Sequence, residues 1–155
     1  MSDKYEQLED AIVAQVQAHT TGLQSVVAMA ASGVVGEFPR PRVEVLWART
    51  ETREVASVAG RIRVTDEVFF TVLIFASDAG GIQGGARRGT GGAYDIRGQV
   101  RKALLGFEPP ISVTETVFPM APVVGASEDV FQIETGLYGL ATQWSIQLNS
   151  YEGQG

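Results

Sequence analysis

Val68–Ala76 reads VFFTVLIFA, and only Thr71 breaks its apolar character. The run is dominated by β-branched and aromatic residues, and both of its alternating faces are apolar. Such a segment is a strand near the middle of a sheet, covered on both sides. Working outward, Arg61–Val64 alternates and reads as a second, shorter strand. Upstream, Pro39 and Pro41 press their predecessors into extended backbone and lead into a strand over Arg42–Arg49. That strand places Val43, Val45 and Trp47 on one face. These three segments are expected to be neighbours, mostly antiparallel, with Thr50–Gly60 as a mobile hairpin tip.

Two helices flank this region. Tyr5, Leu8, Ile12 and Val16 recur at spacings of three and four, which predicts an amphipathic helix ending near His19. Asp3 with Glu6 forms a capping arrangement, and Glu6, Glu9 and Asp10 suit the positive end of the helix dipole. A second helix is expected over Ala93–Leu105, burying Ile96, Val100, Ala103 and Leu104. Its Arg97 and Arg101 lie one turn apart on a more exposed face. Gly106 stops this helix, and Pro109–Pro110 forbids its continuation. Leu23–Ala31 is a small-residue apolar run compatible with either strand or helix, and Ser32–Pro41 reads as a loop. Strands are expected again at Ile111–Phe118, Val130–Thr135 and Leu140–Asn149. In the last, Leu140, Trp144, Ile146 and Leu148 alternate with polar or small residues, so one face is buried.

The expected fold is therefore α+β: a mostly antiparallel sheet of about six to seven strands packed with two main helices, forming one domain over residues 1–155. Composition agrees. The 155 residues are 45% hydrophobic and 19% charged, which suits a globular core. No run of about eighteen apolar residues is present, and the start MSDKYEQLED is acidic where a signal peptide is basic and then apolar. The absence of cysteine removes disulfides and thiolate metal sites. The formal charge of −6 argues against a surface devoted to nucleic acid.

Candidate chemistry is sparse. Asp78–Gly92, DAGGIQGGARRGTGG, invites a phosphate-cradle reading. It lacks the Lys-Ser/Thr pair of a Walker loop and an acidic residue placed to hold a ribose. A loop that orders against a partner is the better reading. The only histidine, His19, suits the C-terminal end of its helix. One His, no Cys and no calcium-loop spacing provide no metal site. Glu128 and Asp129 are expected to mark a turn, and Trp47 and Trp144 to lie in the core. No catalytic, cofactor-binding or metal-binding residue is assigned, and the chain is expected not to be an enzyme. Arg87, Arg88, Arg97 and Arg101 are the candidate interface residues. Apolar loop residues such as Val34, Val35 and Phe38, together with sheet edges, call for subunit contacts.

The layout as a whole resembles a known family. It has an N-terminal helix, the Pro-flanked strand PRPRVEVLW, the strand VFFTVLIFASD and a Gly/Arg loop. The segment GGAYDIRGQVRKALLGFEPP and further strands follow. It resembles the Mu-type phage Gp37-like family and, more broadly, the tail terminator (tail completion) proteins of long-tailed phages. The most specific part is Gly92–Pro110. The resemblance implies a virion structural protein of the tail and neck, assembled in the host cytoplasm as a homo-oligomer, a hexameric ring. Its implied partners are the tail tube protein, the sheath protein in contractile tails, and the head connector. The ring caps the tube, ends its polymerisation and joins the tail to the neck, while DNA crosses the lumen without specific binding. Two alternatives are another neck or head–tail joining protein, and a small-ligand or nucleotide-binding domain built on Asp78–Gly92.

Overall fold

In the computed structural model, Val68–Ala76 is the inner half of a longer strand, β3 (Arg61–Ser77). It lies between β2 (Arg42–Val58) and β7 (Leu137–Gln154). The structure describes residues 4–21, 25–28, 41–77, 92–111, 115–134 and 137–154. The remaining elements are α1 (Lys4–His19), β1 (Ser25–Ala28), α2 (Ala93–Leu104), β4 (Glu115–Val117), β5 (Ala121–Pro122) and β6 (Asp129–Glu134). The fold is α+β. The sheet runs β1-β2-β3-β7-β4, with β5 and β6 also paired to β7. All pairings are antiparallel except β1 with β2. The far edge is composite: β6, β5 and β4 meet successive stretches of β7 at Leu137–Ala141, Trp144–Ser145 and Leu148–Ser150.

Both helices lie on one face. Leu8, Ile12 and Val16 of α1 and Ala93, Ile96, Val100 and Leu104 of α2 are buried against Val43, Val45, Phe70, Val72, Leu140, Trp144 and Ile146. The helices are joined side by side, since the Gln15 Nε2 donates to the Ala103 carbonyl at 2.9 Å and the Thr21 N–H donates to Gln99 at 2.8 Å. Gly106 adopts φ +80°, the left-handed geometry that ends a helix, and its N–H turns away to the Met120 carbonyl. Met120 in turn donates to the Phe107 carbonyl, which fastens the end of α2 to the segment before β5. Trp144 sits across from Phe70 and donates its indole N–H to Thr142, whose own hydroxyl donates to the Val72 carbonyl. Its burial therefore leaves no polar atom unpaired.

Several expectations need correction. Arg61–Val64 and Val68–Ala76 are one strand, because Thr65 and Asp66 are bonded to neighbours: the Thr65 hydroxyl to Asn149 at 2.7 Å, Asp66 to Thr52 at 2.8 Å. Cross-strand partners satisfy these polar side chains, so they do not interrupt the ladder. The strand at Arg42 does not stop at Arg49 but continues to Val58, and Thr50–Val58 is ladder rather than tip. Only Ala59 and Gly60 form the turn, both with positive φ, at 51° and 79°. Within Leu23–Ala31 the described residues form a strand over Ser25–Ala28, the C-terminal strand is longer than expected, and within Ile111–Phe118 the described strand is Glu115–Val117. The short β5 was not anticipated. Trp47 is 42% exposed rather than in the core, because β1 ends opposite Val45 and, among the described residues, only the N-terminal part of α1 shields this edge.

The positive φ of Ala59 yields a test. A two-residue hairpin turn with both residues in the left-handed region favours Asn-Gly, since an ordinary side chain is strained there. Ala59→Asn should raise stability by about 0.5–1 kcal/mol. Chemical denaturation reads this directly, and a destabilised variant would contradict the turn geometry.

Candidate functional site

Two surfaces stand out once the layers are in place, and both come from how the strands outrun the helices. The first is the end of the β2–β3–β7 sheet remote from the chain's helical layer. At about 3.3 Å per residue, strands of 17 and 18 residues are about 55–60 Å long. The helices and the Phe107–Ile111 segment cover the helix-bearing face as far as the row Asp66–Leu148. Beyond that row Val55, Ile62 and Val64 share the face, with Val55 64% exposed. The outer edge of β2 has no strand partner from Leu46 onward among the described residues. At Trp47 the Glu9 carboxylate of α1 accepts the backbone N–H at 3.1 Å. Helix α1 thus substitutes for a strand just where β1 ends.

The opposite face of the sheet carries no helix among the described residues. Two β-bulges, at Ala48 and Arg53, turn Arg49 and Glu51 onto it. There the Arg49 guanidinium lies 3.9 Å above the Phe69 ring centroid. Arg53 bridges Glu51 and Glu67, and its donation to the Glu67 carboxylate raises its pKa above the ordinary arginine value. Arg49, Arg53, Glu67 and Phe69, with Pro122 and Ser145, line an open cleft of about 520 Å³. Its two guanidinium groups are already bonded to Glu51 and Glu67. The cleft is therefore internally neutralised, a charge network holding two strands rather than a receptor for an anion.

The second surface is the helical layer. Arg97 donates to Glu128, in the segment just before β6, and with Tyr94, Tyr138 and Leu140 the pair lines a shallow hollow of about 250 Å³. Glu128 was expected to mark a turn; it immediately precedes β6 and holds α2 to the composite edge. Arg101 follows one turn later and is exposed, as are Lys102 and Leu105. On α1 the exposed residues include Glu6 and Asp10. His19 ends α1, as expected, and is exposed.

Of the four expected interface arginines, Arg97 and Arg101 therefore share one flank of α2. Arg87 and Arg88 lie outside the described residues, as do Asp3, the loop apolar residues Val34, Val35 and Phe38, and the Asp78–Gly92 loop except Gly92 itself. The stacking of Arg49 on Phe69 and the edge cap by Glu9 were not read from sequence. Each joins residues far apart in the chain, and only the strand register brings them together.

Among the described residues no group of three or more His, Cys, Asp or Glu is placed to hold a metal ion. No helix among them is long and apolar enough to cross a membrane. No protein-family model matches this chain, and no curated protein matches it.

Proposed function

We propose that this chain is a structural protein of a phage virion, a tail terminator. It assembles as a ring that caps the tail tube, ends its polymerisation and joins the tail to the neck. The observation that supports this reading most is the projecting end of the sheet. Strands of 17 and 18 residues run past the helices; among the described residues no helix covers Val55, Ile62 and Val64, of which Val55 is exposed, and the β2 edge has no strand partner beyond Trp47. A domain that extends its sheet this way gains most by placing that end against another subunit, because exposed β-branched residues and an open edge are otherwise liabilities. Head-to-tail repetition of such a contact closes into a ring. The sequence layout from the N-terminal helix to the Gly92–Pro110 segment supports the same reading by its resemblance to tail terminators.

The partners in this proposal are further copies of the chain, the tail tube protein and the head connector, with the sheath protein added in a contractile tail. No catalytic or cofactor step is part of it. Native mass measurement tests the reading: a single closed oligomer, expected to be hexameric, binding tube protein at one end. A stable monomer whose melting temperature rises with added nucleotide would replace this reading with the ligand-binding one. Tails assembled without the protein separate the terminator from a head–tail joining protein, since a missing terminator yields over-long tubes and a missing joiner yields normal tubes without heads.

A further inference from the structure

The two helices carry opposite charge on opposite flanks of the same layer. Helix α1 bears Glu6, Glu9 and Asp10 against Lys4, whereas α2 bears Arg97, Arg101 and Lys102 against Asp95. The seam between the helices is marked by Gln15 bonded to the Ala103 carbonyl and by Gln99 bonded to Thr21. On α1 the flank away from the seam carries Glu9, which reaches the β2 edge, and helical spacing puts Glu6 and Asp10 beyond it toward solvent. On α2 the flank away from the seam carries Arg97, bonded to Glu128, with Arg101 one turn further. Glu6, Asp10, Arg101 and Lys102 are all exposed. Glu6 and Arg101 face away from the seam on opposite flanks, while Asp10 and Lys102 face outward over the top of the helical layer.

We propose that the acidic flank of α1 on one copy docks on the basic flank of α2 on the next. This deepens the ring reading and rests on it. A second copy is the occupant argued for because both halves of the contact are present on one chain and match in charge. Each patch is also confined to the exposed side of a single helix. A contact that joins one surface to a different surface of an identical subunit repeats head to tail and closes when the rotation allows. Charge complementarity steers such docking and fixes its register, while exposed Tyr94 and Leu105 beside Arg101 provide apolar area at its basic half. The contact weakens as salt rises, because these charges are solvent-facing.

The test is a charge swap on the full chain, read by native mass and sedimentation. Glu6→Lys with Asp10→Lys makes both flanks basic, and Arg101→Glu with Lys102→Glu makes both acidic. Each double variant should stay folded, as judged by its circular dichroism and melting, and should associate more weakly by on the order of a hundredfold. An equal mixture of the two should assemble again, in alternation, and a chain with all four reversals should assemble alone. Assembly of either double variant as strong as wild type overturns the proposal, and so does failure of both the mixture and the fourfold variant. In the first case wild-type rings still form, so the ring reading survives. A wild-type chain that remains monomeric at every concentration, with tube protein present, removes the ring reading and this contact together.

Discussion

Replacing Trp144 by alanine should cost about 3–5 kcal/mol, a large share of the stability of a domain this size. Trp144 is 2% exposed, faces Phe70 across β3–β7 and Pro122 across β5–β7, and belongs to the core cluster that includes Met120 and the buried faces of both helices. Its removal opens a cavity in the core shared with both helices, and the Thr142 hydroxyl loses the indole N–H it accepts at 3.1 Å while keeping its own bond to the Val72 carbonyl. The melting temperature should fall by about 10 °C or more. Trp47→Ala provides the contrast, with an expected loss of about 1 kcal/mol, because that ring is 42% exposed and is held by Tyr5 at 5.5 Å and by its indole bond to Thr50. Fluorescence should divide the same way: emission that remains in Trp47→Ala is blue-shifted and buried, while that of Trp144→Ala is red-shifted. Equal losses in the two variants would contradict the packing described.

The second large effect is at the seat of α1. Ile12 is fully buried in the middle of the Leu8–Ile12–Val16 stripe, against β1 and β2. Ile12→Ala should destabilise by about 2–5 kcal/mol in denaturant titration. Gln17→Ala, on the exposed side of the same helix, should change stability by less than about 0.5 kcal/mol. A looser α1 also releases the Glu9 carboxylate from the Trp47 N–H, so exchange of that amide should accelerate in Ile12→Ala before the central strands are affected. Unchanged exchange at Trp47 would mean that the edge is protected by something other than α1.

How far the sequence could be read depended on whether a signal was local. The α1 stripe, the buried face of α2 with its stop at Gly106, and the alternation in β7 are each contained in one element. Their periodicity reports burial directly. The sheet's centre was legible for the same reason, since Val68–Ala76 is apolar on both faces. The length of the β2–β3 hairpin was not, because Thr50–Val58 is mostly polar and resembles a loop until its partner is known. Thr52, Glu54 and Arg53 are strand residues only because Asp66, Arg63 and Glu67 stand ready to bond them.

The candidate surfaces divide along the same line. The helical positions of Arg97 and Arg101 follow from spacing, and their common flank was foreseen. That Arg97 is bonded to Glu128, and that Glu6 and Asp10 occupy the contrary flank, required knowing which side of each helix meets the other.

By itself the sequence determined an α+β domain with two amphipathic helices, a doubly apolar central strand and a buried C-terminal strand, because apolar periodicity within one element needs no partner to be recognised. Tertiary structure alone decided the register. Counting back from the Ala59–Gly60 turn without bulges would set Trp47 opposite Val72; the extra residues Ala48 and Arg53 set it opposite Phe70 and place Arg49 over Phe69. A bulge carries no residue signature of its own, and a shift of one residue turns every following side chain to the other face. Which residues of β2 face the helices, and which are left for a neighbouring subunit, is therefore a property of the paired sheet.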